Sequence, residues 1–269
     1  MKGRREGQDQ TAAEAERGKA MTEKRTKHVR EICNWKIRGF DKAEEIAASV
    51  HDTGYDDTGW LEADVPGDVH AALLAHGEIE DPYYSTNDQK CRWIEQKVWV
   101  YRTAFDAPEA SGFTRVFLNL EGLDTLAEVF VNGESVAVSE NMFVPVSVDL
   151  SGKLRARGNV VVVRFDPVVV YAKDKDVSRF WSKVNYERIW LRKCASNFSW
   201  DWSPRIVTVG LWKAVRLVLV REATIDHLFF RTLAIGPERA EVAVDVEVSA
   251  YGADDPLTVE LCLSCSPTW

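Results

Sequence analysis

The chain has 269 residues, 45% hydrophobic and 28% charged, with a formal net charge of −8. That length permits one or two domains with sizeable cores. The acidic balance excludes a molecule-wide attraction to nucleic acid or anionic lipid. No run reaches the ~18 apolar residues of a membrane helix and no apolar leader follows the basic start, so the chain reads as cytoplasmic.

The charge is uneven. Residues 1–30 carry nine Lys/Arg against five Asp/Glu, +4, which leaves −12 for the remainder. This polar start has no apolar period and is expected to be a disordered basic tail over 1–30. From Trp35 onward the period becomes two, the mark of half-buried strands. Leu61, Ala63 and Val65 share one face of a short strand. Asp68 is placed to cap one short helix over Val69–His76, with Gly77 as its stop and His70 on the polar side. Trp99, Tyr101, Thr103 and Phe105 then alternate with Val98, Val100, Arg102 and Ala104. Val116, Leu118 and Leu120 follow the same rule.

The segment Thr125–Val131 runs into Asn132-Gly133, the strongest short hairpin signal, because both turn positions want positive φ. Val144, Val146, Val148 and Leu150 form another face, Val160–Val163 is continuously apolar, and Leu217 and Leu219 close the series. Many short strands with one helix predict an all-β chain built as an antiparallel sandwich. A boundary falls near residues 221–224. Beyond it Ile225–Thr232, Glu241–Ala250 and Leu257–Leu263 read as three strands. Three strands cannot bury both faces of a sandwich, so residues 222–269 read as an incomplete domain.

The densest chemistry lies in Asn197-Phe198-Ser199-Trp200-Asp201-Trp202-Ser203-Pro204-Arg205. A carboxylate between two indoles suits sugars, since it accepts hydroxyl hydrogen bonds while an indole covers a pyranose C–H face. Residue types alone fit better with a buried turn, tryptophans in the core and Asp201 paired with Arg205 or with turn amides. Asp124 could contact a ligand at a rim, but such an aspartate more often satisfies turn amides. Five scattered cysteines (Cys33, Cys91, Cys194, Cys262, Cys265) read as reduced thiols. Cys262 and Cys265 form a CxxC whose spacing on a strand puts the thiols on opposite faces, and no His cluster completes a zinc site. Neither a cofactor motif nor a pair of glycosidase carboxylates stands out.

Several ordered motifs resemble the opening of β-mannosidases of glycoside hydrolase family 2. They are Val65-Pro66-Gly67-Asp68-Val69-His70, Asp81-Pro82-Tyr83-Tyr84, Asn87, Trp93-Ile94-Glu95, Trp99-Val100-Tyr101-Arg102, Glu121-Gly122-Leu123-Asp124-Thr125, Val131-Asn132-Gly133 and Asn141-Met142-Phe143. The stretch Phe198–Arg205 resembles the family's F-G-W-D-W-G-P-R, and Gly210-Leu211-Trp212 its G-I-W. The resemblance spans roughly Trp35 to Val220. It implies a galactose-binding-like jelly-roll over residues 31–221, the start of an immunoglobulin-like sandwich over 222–269, and no catalytic barrel in this chain. It further implies Asp201 as a mannose-binding residue, with Trp200 and Trp202 supporting its loop. The implied partner is a mannose-terminated oligosaccharide reached through that barrel, and the implied activity is retaining hydrolysis of terminal β-mannose. A free-standing carbohydrate-binding module and a truncated, inactive reading frame are the alternatives. Ser199 and Ser203 depart from the pattern, standing where the family has glycine.

Overall fold

The computed structural model describes residues 27–109, 111–180, 185–252 and 256–261. Two compact bodies are present, one of Val29–Ser111 with Val116–Val218, and one that includes Gly112–Arg115 and the chain from Leu219 onward. The fold is mostly β, with several antiparallel sheets.

In chain order, β1 (Lys27–Glu31), β2 (Trp35–Phe40) and β3 (Leu61–Ala63) are followed by helix α1 (Val69–Ala75) and the single-turn α2 (Asn87–Lys90). Next come β4 (Val98–Phe105), β5 (Arg115–Leu120), β6 (Ala127–Val131), β7 (Glu134–Ser139), β8 (Val146–Asp149) and β9 (Asn159–Phe165). Helix α3 (Val168–Lys173) leads to a short hairpin of β10 (Phe198–Trp200) and β11 (Ser203–Arg205), then to β12 (Val215–Val220). The last pair is β13 (Ala223–Ile235) and β14 (Ala240–Ala250).

The six-stranded sheet has the order β3-β2-β4-β9-β6-β7, antiparallel throughout, and a four-stranded sheet has the order β1-β12-β5-β8. The central strands are enclosed on both faces. On one side of β4 and β9, Tyr101 packs edge-on to Trp35 and Phe165, at ring distances of 6.4 and 5.6 Å. On the other, Val100, Val160 and Val162 pack with Val50 and Trp60. This double enclosure explains why β9 reads as a continuous apolar run rather than an alternation. Leu118, Leu120, Leu217 and Leu219 of the second sheet are also fully buried, which a sheet row achieves only against another layer.

Arg102 leaves β4 on the side of Val100 yet is buried. Its Nε donates to the Val50 carbonyl at 2.9 Å and its Nη2 to the Asp52 carbonyl at 2.7 Å, while Nη1 pairs with Asp57. Lys36 reaches the same Asp57 at 2.6 Å. These bonds fasten the irregular segment 50–57 across the sheet.

The turn between β6 and β7 is Asn132-Gly133, with φ of 52° and 87°, as the dipeptide predicts. The Asp68 side chain caps α1 by accepting from the Ala71 amide at 2.9 Å, and Gly77 stops it at φ 72°. Four expectations need correction. His70 is buried, because α1 lies against the chain with Val69, His70, Ala72 and Leu73 all inward. Two further helices, α2 and α3, join the single one expected. Lys27–Arg30 belong to β1 at the edge of the four-stranded sheet, where pairing with β12 supplies the backbone partners a free tail lacks; the tail's residues 1–26 lie outside the described residues. Residues 256–261, expected to begin a third strand, are exposed and without regular structure; Cys262 and Cys265 lie outside the described residues.

Candidate functional site

Phe198 is fully buried and anchors the β10–β11 hairpin in a cluster with Leu126, Val168, Val169, Leu191 and Val207. The register pairs Phe198 with Arg205 and Trp200 with Ser203. Asp201 and Trp202 are therefore the two residues at the tip. The indoles of Trp200 and Trp202 stand 5.5 Å apart at 50°, with Trp200 44% and Trp202 74% exposed. Arg188 places its guanidinium 5.0 Å from the Trp200 ring centre, an arrangement that holds a flat cation against the indole face.

Arg205, at the base of the hairpin, turns away from the tip. Its Nε donates to Glu95 at 3.2 Å and its Nη2 to Glu95 at 3.1 Å and Glu187 at 3.3 Å. The guanidinium also lies 5.5 Å from the Phe198 ring. Pairing of Asp201 with Arg205 is thus not the arrangement found. The Asp201 carboxylate is exposed and has no hydrogen-bond or ion-pair partner among the described residues. Asn185 donates from its side-chain amide to the Ser199 carbonyl at 2.9 Å, which ties the preceding segment to the hairpin.

The two serines that stand where the resemblance expects glycine differ. Ser199 has φ of 80°, in the region that glycine occupies without cost. Ser203 is not among the residues with positive φ.

Behind the hairpin lies a buried ion pair that no local motif announced. The Lys193 ammonium, 0% exposed, contacts both carboxylate oxygens of Asp124, 2% exposed, at 2.6 Å. It also donates to the Thr208 carbonyl at 2.8 Å. Thr208 Oγ1 donates to Asp124 Oδ2 at 2.6 Å, and the Thr125 hydroxyl donates to Oδ1. Both charges are therefore hydrogen-bonded as well as paired, which is what a low-dielectric site requires. Asp124 cannot reach a ligand at a rim; its carboxylate is consumed inside.

The backbone of Asp124 exchanges two hydrogen bonds with Gly210, at 2.9 and 3.0 Å. Gly210 has φ of 146°, and a Cβ there would overlap the Tyr101 hydroxyl. Burial holds the Lys193 ammonium below the usual lysine range, opposed by Asp124. Burial likewise lowers the His70 imidazole, whose Nδ1 stands 4.0 Å from Asp68.

Among the described residues no group of three or more His, Cys, Asp or Glu side chains could hold a metal ion. A cleft of about 600 Å³ is lined by residues including Trp35, Glu62, Asp68 and His76 and does not include the hairpin. Chemically, then, the hairpin offers an exposed, unpaired carboxylate between two partly exposed indoles, a set suited to accepting hydroxyl hydrogen bonds, and among the described residues no second carboxylate shares its tip.

The sheets define a mostly β domain that carries an aromatic, carboxylate-tipped loop. The chain belongs to the glycosyl hydrolase 2 galactose-binding domain-like family, whose pattern matches residues 35–213. β-Mannosidase B of Aspergillus terreus is 33% identical over 208 residues, covering 75% of this chain and 24% of that protein. β-Mannosidase B of Emericella nidulans is 32% identical over 213 residues, covering 76% and 25%. The chain thus spans about a quarter of the length of the curated relatives it matches. Among solved structures, a β-D-mannosidase from Dictyoglomus thermophilum superposes with a TM-score of 0.71 at 26% identity, over 83% of this chain and 26% of that one. An exo-chitosanase from Amycolatopsis orientalis superposes with a TM-score of 0.62 at 20% identity, which shows shared fold alone.

Proposed function

We propose that this chain is the N-terminal, sugar-proximal part of a β-mannosidase-type enzyme: a jelly-roll followed by the opening strands of an immunoglobulin-like sandwich. Its tip loop forms one wall of a pocket whose catalytic carboxylates lie on a barrel outside this sequence. In this reading Asp201 accepts hydroxyl hydrogen bonds from a terminal mannose of an oligosaccharide, and Trp200 and Trp202 hold the loop and cover apolar sugar faces. The protein acts in the cytoplasm, without a cofactor and without nucleic acid or membrane as partner.

The observation that carries the reading is the state of Asp201. A carboxylate at a hairpin tip, unpaired while the neighbouring arginine is held by two other carboxylates, is free for a ligand. The likeness to β-mannosidases supplies the sugar.

Retaining hydrolysis needs two carboxyl groups ~5–5.5 Å apart across the glycosidic bond. The chain by itself is expected to give no turnover of an aryl β-mannoside above a mock preparation. With a catalytic barrel following in frame, turnover should appear, and Asp201→Asn should then lower kcat/KM by roughly 10–150-fold, the equivalent of ~1.5–3 kcal/mol. A mutant with unchanged kcat/KM per folded molecule would remove Asp201 from the site. A second reading, a module that binds sugar unaided, is favoured by the open indoles alone. It predicts that methyl β-mannoside quenches or shifts tryptophan fluorescence of the isolated chain.

A further inference from the structure

The proposed activity makes no use of Trp93-Ile94-Glu95, yet Glu95 reaches the hairpin that carries Asp201. Ile94 is fully buried, its amide donates to the Cys91 carbonyl at 3.0 Å, and its carbonyl accepts from Trp99 Nε1 at 2.9 Å. The single turn Ile94–Gln96 therefore presents the Glu95 carboxylate from a fixed base.

That carboxylate takes most of Arg205. Among the described residues the guanidinium makes four contacts with carboxylate oxygens, and three go to Glu95. Nε donates to Oε1 at 3.3 Å and to Oε2 at 3.2 Å, and Nη2 donates to Oε1 at 3.1 Å. The fourth runs from Nη2 to Glu187 at 3.3 Å. The side chains of Glu95, Arg205 and Glu187 are 9%, 14% and 16% exposed, so water screens them far less than it screens the tip. The buried Phe198 ring, 5.5 Å from the guanidinium, adds a further contact.

Without these partners Arg205 has another within its own hairpin. Asp201 precedes it by four residues, and only the Trp200–Ser203 pair separates Arg205 from the tip. Ser203 projects from the same face of β11 as Arg205 and is too small to bar the way. An exposed aspartate–arginine pair is weak. Two shielded carboxylates outcompete it, and a guanidinium deprived of them is driven to find a new counter-charge.

We infer that Glu95, assisted by Glu187, is a positioning residue for the candidate sugar-binding loop: by holding Arg205 at the hairpin base, it keeps the Asp201 carboxylate unpaired and open to sugar hydroxyls. The inference rests on the reading of Asp201 as a sugar ligand. It differs in sign from a plain structural role. Loss of a structural brace loosens the hairpin and exposes Asp201 further, whereas loss of this charge pair closes the site. The freed guanidinium turns to Asp201 and occupies the oxygens that hydroxyls need.

Carbodiimide coupling of glycine ethyl ester, read by mass spectrometry on the full chain, separates the two, because coupling needs an accessible, unpaired carboxylate. Trypsin cuts after Lys193 and Arg205, and Asp201 is the one acid between them; with Arg205 replaced, the peptide runs on to Lys213 and gains no other. Glu95→Gln/Glu187→Gln removes both charges and keeps both shapes. Relative to Glu238, exposed between β13 and β14, coupling at Asp201 should fall ~3-fold or more in that variant. Adding Arg205→Gln should return it to within ~1.5-fold of the unmodified chain. Unchanged coupling overturns the inference. So does a rise, which signals a loosened hairpin or a lost fold, and so does a fall that persists after Arg205→Gln, since another group then covers Asp201. If Asp201→Asn leaves kcat/KM unchanged, the sugar reading fails while the coupling result stands, so the two failures are distinguishable.

Discussion

Ser199, where the resemblance to β-mannosidases expects glycine, carries a visible structural consequence in its positive φ. A non-glycine residue held at φ 80° costs roughly 1 kcal/mol, offset only slightly by the 3.3 Å bond from its hydroxyl to the Ser203 carbonyl. Ser199→Gly is therefore expected to raise stability by roughly 0.5–1 kcal/mol in urea unfolding, without moving the indole signals of Trp200 and Trp202. The buried Lys193–Asp124 pair has the opposite sensitivity. Lys193→Met strands a carboxylate in the interior and should cost about 3–5 kcal/mol, whereas Lys193→Met with Asp124→Asn should recover most of that loss. Equilibrium unfolding of the unmodified chain, Lys193→Met, Asp124→Asn and the double mutant forms the cycle, and an additive double mutant would contradict the coupling. Neither partner was legible as such: they lie 69 residues apart, and nothing local in Glu121–Thr125 distinguishes a buried carboxylate from one that binds turn amides. His70 was misplaced for a related reason. A helix of seven residues has too few turns to define a polar face by sequence, and tertiary packing decided which side went in.

At the scale of elements, the strands that were legible are those whose side chains obey one period. The Asn132-Gly133 hairpin and the Asp68 cap were legible because their chemistry is local. α3 was not. Its Val168-Val169-Val170 start is β-branched and poor in helix propensity, yet Val168 and Val169 enter the cluster that anchors Phe198. The contact between Asp124 and Gly210 shows how elements constrain one another. Gly210→Ala would force a methyl group into the Tyr101 hydroxyl at a backbone position suited to glycine, and should destabilise by at least ~2 kcal/mol. Tyr101→Phe in the same chain should return part of the loss, as read by the urea midpoint. No recovery would mean that backbone strain, rather than the overlap, carries the cost. The pH dependence also belongs here, since His70 on α1 faces Asp68, Asp124 and Lys193. Its folded pKa is lowered by burial, so the unfolded chain binds the extra proton first. Stability is full above the ordinary histidine value near 6.5 and declines as pH falls below it, by at most ~1.4 kcal/mol per pH unit for this one proton. His51 is lowered in the same direction, again mainly by burial. His70→Gln should flatten the slope in part, leaving the His51 contribution.

For the whole molecule, the contrast between the two bodies sets the order in which the chain opens. The central strands β4 and β9 are enclosed on both faces and pair along their full length, so their amides exchange only through extensive unfolding. β13 and β14 share a single ladder, with their outer edges unpaired among the described residues and an open apolar face. Exchange in residues 223–250 should exceed that in residues 98–105 and 159–165 by at least two orders of magnitude. Limited proteolysis should cut first near Arg221–Ala223, where the chain leaves β12 for β13. Uniform protection of both bodies would show that the hairpin is already covered within one chain.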